Sequence, residues 1–205
     1  IHIRPELNLS KKKDQEIMYS IAKNVSKIVK KYHGSLSGEH GDGRIRAPFL
    51  KEQFGEVVYQ YLVDLKRIFD PNNLFNPGVI LSDRGILENL RLVVSQQELT
   101  TAFEWKDDLS FYYAVEKCNG AGVCRKSTDG IMCPSYRATR SEEFSTRGRA
   151  NLLRKALSSK DPAKGLKSSK LKEALDLCLS CKACKNECPA NIDMARLKSE
   201  YLFQI

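Results

Sequence analysis

Four cysteines, Cys178, Cys181, Cys184 and Cys188, followed at once by Pro189, spell C-x2-C-x2-C-x3-C-P. Thiolates at that spacing can wrap a cubane iron–sulfur cluster. Three sit two residues apart on one tight loop, and the fourth, turned outward before a proline that ends the loop, ligates a neighbouring cluster. The chemistry is transfer of single electrons, and one such run predicts a second.

The second lies upstream in Cys118, Cys124 and Cys133, again with a proline, Pro134, after the last cysteine. Counted in threes from Cys118, the second ligand position falls on Ala121, so the run reads C-x2-A-x2-C-x8-C-P. Exchange of the last cysteine between runs would put Cys133 with Cys178, Cys181 and Cys184 around a 4Fe-4S cluster. Cys188 would join Cys118 and Cys124 at a three-thiol site, and all seven cysteines are then used. Three thiolates suit a 3Fe-4S cluster, the form favoured here, or a second 4Fe-4S cluster whose remaining iron takes water or a non-cysteine ligand; alanine can supply nothing.

Competing uses of the cysteines fit less well. Structural zinc prefers paired knuckles with four ligands per metal, against an odd total of seven and two C-P endings. Disulfides need an oxidising compartment, and nothing here resembles a secretory signal, so a reducing cytoplasm is expected. At 205 residues the chain suits one domain or two small ones, and it has no uncharged apolar run long enough to span a bilayer. The net charge of +9 is uneven: Lys and Arg number 15 against 13 Asp and Glu in residues 1–105, but 19 against 12 in residues 106–205. The excess therefore accompanies the cysteines, where cations can hold anionic clusters, each bringing about two negative charges with its thiolates. Basic residues are not interleaved with stacking aromatics, so nucleic acid is not an expected partner. An acidic electron partner or an anionic membrane surface is.

The elements that must hold these groups are mainly helical. An extended segment, Ile1–Pro5, precedes a helix capped by Ser10, whose apolar residues Ile17, Ile21, Val25, Ile28, Val29 and Tyr32 recur at helical spacing until Gly34. A second helix is expected from Lys51 to Phe69, with Phe54, Val58, Tyr61, Leu62, Leu65 and Ile68 on its buried face and Asp70-Pro71 ending it. Downstream, Thr146 is positioned to cap a helix over 147–157, Leu171–Leu177 leads into the main cysteine run, and Asn191 or Asp193 starts a helix over Met194–Phe203. The polar stretch Ser158–Ser169 reads as a mobile connection. A boundary is placed at residues 81–105, dividing a domain at 1–80 from one at 106–205.

Between the first two helices, residues 34–44 carry four glycines together with Glu39, His40, Asp42 and Arg44. Glycines allow close backbone approach to something bulky, and the side chains offer metal-binding, proton-transfer and anion-binding groups, although a turn with solvated charges has the same composition.

His40 within Gly38-Glu39-His40-Gly41-Asp42-Gly43, then Phe69-Asp70-Pro71 and Leu74-Phe75-Asn76-Pro77-Gly78, resembles the C-terminal end of the FAD-linked oxidases related to D-lactate dehydrogenase, glycolate oxidase and D-2-hydroxyglutarate dehydrogenase. The region Cys118–Cys188 is similar to the ferredoxin-like domain fused to such flavoproteins in large bacterial oxidoreductases. The resemblance implies a mainly α chain: the truncated C-terminal part of an α+β FAD-linked oxidase cap domain, then an α-helical two-cluster domain. It also implies an internal fragment whose FAD-binding domain would lie before Ile1.

Carried over residue by residue, the resemblance makes Glu39 a ligand for a divalent metal (Zn or Mn) and His40 a substrate-binding or proton-abstracting residue. It makes His2, within Ile1-His2-Ile3, a second metal-ligand candidate, and Asn76 a flavin-side candidate that could equally be a turn former. Many relatives have lysine after N-P-G, where this chain has Val79. The implied reaction is oxidation of a D-2-hydroxy acid at FAD, followed by single-electron relay to a quinone, a ferredoxin or a flavoprotein, in the cytoplasm or peripheral to the inner face of the cytoplasmic membrane. The alternative is an electron-transfer subunit like those of succinate or anaerobic glycerol-3-phosphate dehydrogenases, in which residues 34–78 would have no role.

Overall fold

A computed structural model describes residues 4–9, 11–88, 90–91 and 99–205. Ser10, the expected cap of the first helix, and the Ile1-His2-Ile3 strand motif lie outside the described residues. The chain divides into two compact units, Ile1–Arg91 and Leu92–Ile205. Among the described residues there is no strand, in keeping with a mainly α chain.

The first unit contains α1 (Lys12–Lys31), α2 (Ala47–Phe54) and α3 (Glu56–Phe69). The single helix expected over 51–69 is two helices, because Gly55 takes a φ of +81° that a helix interior cannot contain. Pro48 starts α2 in the first turn, where its missing N–H costs nothing. Asp70 ends α3: its carboxylate accepts from the amides of Leu74 (2.8 Å) and Phe75 (2.9 Å) and pairs with Lys66, which holds its carboxyl below the usual range despite burial. The expected buried face of the second helix is corrected. Phe54, Val58, Tyr61, Leu65 and Ile68 are exposed, and α3 buries no residue. The periodicity that makes α3 amphipathic is real, but the buried residues described in this unit, among them Ala47, Phe49, Leu50 and Ile86, lie outside α3.

The second unit contains α4 (Phe111–Glu116), α5 (Pro134–Thr139), α6 (Thr146–Leu157), α7 (Pro162–Leu166), α8 (Ser169–Asp176), α9 (Ala183–Glu187) and α10 (Met194–Gln204). α6 lies at its centre, packed on α4, α7 and α8, with Ala150, Leu153 and Leu157 fully buried. Its cap is Ser145 rather than Thr146; the Ser145 side chain accepts from the Gly148 amide. Asp193 caps α10 through the Arg196 amide, and Ser169–Asp176 forms the helix before the main cysteine run. The stretch expected to be a mobile connection instead holds α7, capped by Asp161, with Pro162 and Leu166 buried against the core. Two apolar residues at helical spacing outweigh the polar composition between them. Trp105 also packs in this core, so the expected 81–105 connection is divided between the two units.

Gly148 marks the tightest approach in the unit: a Cβ there would lie 2.1 Å from the Glu142 carbonyl oxygen and 2.8 Å from Glu143 Cα. Both are backbone atoms that cannot swing aside. Gly148→Ala is expected to destabilise the protein by about 1–3 kcal/mol, overpacking outweighing the gain in helix propensity. Thermal unfolding checks this; an alanine variant as stable as the parent would refute the contact.

Candidate functional site

The seven cysteines fall into two groups, each lining a cavity in the second unit. Cys133, Cys178, Cys181 and Cys184 line one, together with Ser135, Arg149 and Met194. Cys118, Cys124 and Cys188 line the other, with Ala121, Gly122 and Arg147. Cys133 is nearer in sequence to Cys124, yet it lines the cavity of the downstream run, and Cys188 lines that of the upstream run. Met132 and Thr146 line both cavities, so the two lie side by side.

Local sequence explains how the thiols reach these places. Each C-P dipeptide ends a cysteine loop; after Cys133, Pro134 starts α5 in its first turn. Ser180 and Lys182 adopt left-handed conformations (φ +52° and +62°) that fold the Cys178–Cys184 loop tightly before α9. Gly120 and Gly122 do the same in the upstream loop, with φ of +82° and +77°. Glu187 braces the two runs. Its carboxylate accepts from the Ile131 amide at 2.7 Å and the Met132 amide at 3.2 Å and pairs with Lys126 at 3.4 Å, and these partners hold its carboxyl below the usual range.

Two arginines from the first turns of α6 serve one cavity each. Arg147 donates its backbone amide to Cys124 Sγ at 3.4 Å and a guanidinium N–H to the Gly120 carbonyl at 3.1 Å. Its charge is matched by a two-pronged pair with Glu142, at 2.7 and 3.0 Å, and this partner pushes the Glu142 carboxyl below its ordinary range. Arg149 is fully buried and donates to Cys133 Sγ at 3.5 Å, to Ser135 Oγ at 2.7 Å and to the Ala174 carbonyl at 2.6 Å. Further along α6, Arg154 donates to the Cys118 carbonyl at 3.4 Å.

Thiol acidities follow these surroundings. Burial pushes Cys184 up to about 11 and raises Cys124 as well. Burial also opposes the Cys133 thiolate, but the Ser135 hydroxyl, the Tyr136 amide and Arg149 outweigh it, so its pKa lies below the usual thiol value. Cys181 is the exposed cysteine of its cavity.

The donor sets fit iron–sulfur clusters. Four thiols around one cavity match the demand of a 4Fe-4S cluster, and three around the other leave a position beside Ala121 without a thiol. Among the described residues no three His, Cys, Asp or Glu side chains converge on a single-ion position.

In the first unit, the glycine-rich loop folds between α1 and α2, with Gly41 and Gly43 at positive φ and Arg46 donating to the Gly41 carbonyl at 2.6 Å. Glu39 and His40 are exposed and paired, His40 Nε2 lying 2.8 Å from Glu39 Oε1. His2 lies outside the described residues. Asn76 is exposed and left-handed (φ +47°), and its carbonyl accepts from the Val79 amide at 3.2 Å, as a turn requires.

The sequence reading missed Arg147, Arg149, Ser135 and Glu187. A signal existed: Arg147 and Arg149 sit between the cysteine runs in the most basic part of the chain, but nothing in their spacing tells which arginine is buried.

Residues 1–80 match the C-terminal domain of FAD linked oxidases, and residues 114–192 match the 4Fe-4S dicluster domain. The chain therefore joins an FAD-linked oxidase C-terminal segment to a 4Fe-4S dicluster domain. It is similar to D-2-hydroxyglutarate dehydrogenase of Pseudomonas putida, 32% identical across 98% of this chain and 23% of the relative. The protein of the same name in Escherichia coli K12 is 29% identical over the same shares. D-lactate dehydrogenase of Anaerostipes hadrus is 41% identical over 24% of this chain and 10% of that protein. The chain spans about a quarter of the length of the first two. No solved structure matches it.

Proposed function

We propose that this chain is the junction of an oxidoreductase that oxidises a D-2-hydroxy acid at FAD and passes the electrons singly through two iron–sulfur clusters to an external acceptor. The observation that carries this reading is the pairing of four thiols and three thiols at adjacent cavities, directly downstream of an FAD-linked oxidase segment. Flavin takes two electrons as hydride and each cluster takes one, so clusters beside a flavin separate the pair.

Cys133, Cys178, Cys181 and Cys184 would hold a 4Fe-4S cluster, and Cys118, Cys124 and Cys188 a 3Fe-4S cluster, or a 4Fe-4S cluster with one non-cysteine ligand. In the first unit His40 would take the proton from the substrate hydroxyl, and Glu39, with His2, would help hold a divalent cation that binds the substrate oxygens. The His40–Glu39 pair supports this only as proximity: the two groups are within reach of one ligand. Asn76 would serve the flavin side through its turn. A quinone, a ferredoxin or a flavoprotein would take the electrons. No helix among the described residues is long and apolar enough to cross a membrane. The alternative of a bare electron-transfer subunit is disfavoured by the oxidase match over residues 1–80.

Electron paramagnetic resonance with iron and sulfide counts on anaerobically reconstituted protein tests the reading. About seven irons per chain and the signal of an oxidised three-iron cluster are expected. Ala121→Cys completes the second thiol set, and should raise the count to about eight and abolish that oxidised signal. A parent chain that takes up fewer than about two irons, or zinc instead, would sink the relay.

A further inference from the structure

Arg149 presents an imbalance of charge that its neighbour Arg147 does not. The residue is about 1% exposed, and the partners of its guanidinium are a serine hydroxyl, a main-chain carbonyl and the sulfur of Cys133. Among the described residues no carboxylate is one of them. A buried cation without a counter-ion is costly, and two of its three partners are neutral oxygens that a neutral donor could satisfy equally well. The anionic partner left for it is Cys133 and whatever that thiolate ligates. Arg147, at the other cavity, is matched by Glu142 and hydrogen-bonds Cys124 Sγ through its backbone amide rather than its guanidinium.

Resting on the two-cluster reading above, we propose that Arg149 is the built-in counter-ion and N–H···S donor of the cluster held by Cys133, Cys178, Cys181 and Cys184, and that it selectively raises that cluster's reduction potential. Each reduction adds one electron, drawn from the two-electron flavin of the whole protein, and makes the cluster one charge more negative. A fixed cation at a ligand sulfur in a water-poor site stabilises the reduced form more than the oxidised one. Ser135 and the Ala174 carbonyl hold the other guanidinium nitrogens, so the N–H facing Cys133 is fixed in direction. Arg149 is thus a positioning residue that biases electrons toward the cavity containing exposed Cys181, the side from which an external acceptor can draw them.

The test is an EPR-monitored redox titration of the reconstituted chain with Arg149→Gln and Arg149→Lys. Arg149→Gln should lower the reduction equilibrium constant of this cluster at least tenfold, which is 59 mV for one electron, and leave the other cluster's potential in place. Arg149→Lys, which keeps the charge, should recover most of the shift. If Arg149→Gln holds both clusters and moves neither potential, or moves both alike, the inference is overturned. Pulsed EPR of the reduced parent, grown with arginine labelled with nitrogen-15 only at the guanidinium, reads the contact without the glutamine variant. A coupling that disappears in Arg149→Lys supports the contact, and its absence in the parent refutes it. A parent chain that binds no iron overturns the two-cluster reading itself, and the inference with it.

Discussion

Cys133→Ala is expected to leave only the three thiols Cys178, Cys181 and Cys184 in its cavity, so that the 4Fe-4S cluster there gives way to a three-iron one while iron stays at Cys118, Cys124 and Cys188. The count should fall from about seven to about six irons per chain, and the oxidised three-iron signal should roughly double. Cys188→Ala, which leaves only two thiols at the other cavity, should instead remove that signal while about four irons remain. The pair of variants is diagnostic because sequence order and spatial order disagree. Cys133 lies nine positions after Cys124 and forty-five before Cys178, yet it lines the cavity of Cys178. If each run filled its own site, Cys133→Ala would destroy the upstream cluster, and that result would overturn the exchanged ligation. Alanine is preferred to serine because a serine oxygen can itself bind iron.

Glu200→Ala should be the most damaging substitution away from the cysteines. Glu200 is fully buried near the middle of α10, and its carboxylate gathers the approach segment to the second unit. Oε1 accepts from the Ala102 amide (3.1 Å) and Gln204 Nε2 (3.0 Å), and Oε2 from the Phe103 amide (3.2 Å) and Trp105 Nε1 (3.3 Å). Arg196 covers the same segment, its guanidinium 4.3 Å from the Trp105 ring centre. Removing the carboxylate strands several donors at about 1–3 kcal/mol each, partly relieved by water, for a loss of roughly 3–5 kcal/mol. For a unit of this size that corresponds to a fall in Tm of roughly 15 °C or more. Glu200→Gln is not a benign control: both carboxylate oxygens face donors, so the amide nitrogen must oppose two of them wherever it points. It should lose less than alanine but more than 1 kcal/mol. Calorimetry on the reconstituted protein decides, and a glutamine variant with unchanged Tm would show that the carboxylate is not the acceptor inferred.

Much of the second unit could be read in the sequence. The C-x2-C spacing and the two C-P dipeptides report short-range geometry, and short-range geometry is what sequence encodes most directly. α8 and α10 were legible for the same reason, the latter through Asp193 as a cap. α7 was missed because only two of its residues carry the packing signal, and the polar residues around them resemble a loop. The break at Gly55 was missed because Phe54 and Val58 keep helical spacing across it, and periodicity is blind to one left-handed residue.

By itself, the sequence determined how the thiols divide into four and three, and where most of the helices lie, α7 and the break at Gly55 excepted. Those features depend on residues a few positions apart, where spacing and caps act. Tertiary structure alone decided which charges stand beside the thiols. Arg147 and Arg149 are two residues apart on one helix, yet one is matched by Glu142 and the other is buried against Cys133 with no carboxylate partner among the described residues. It likewise decided that the apolar stripe of α3 is exposed in this chain although its period is that of a buried face. Burial and charge pairing depend on what packs against a helix from elsewhere in the fold, which local pattern does not contain.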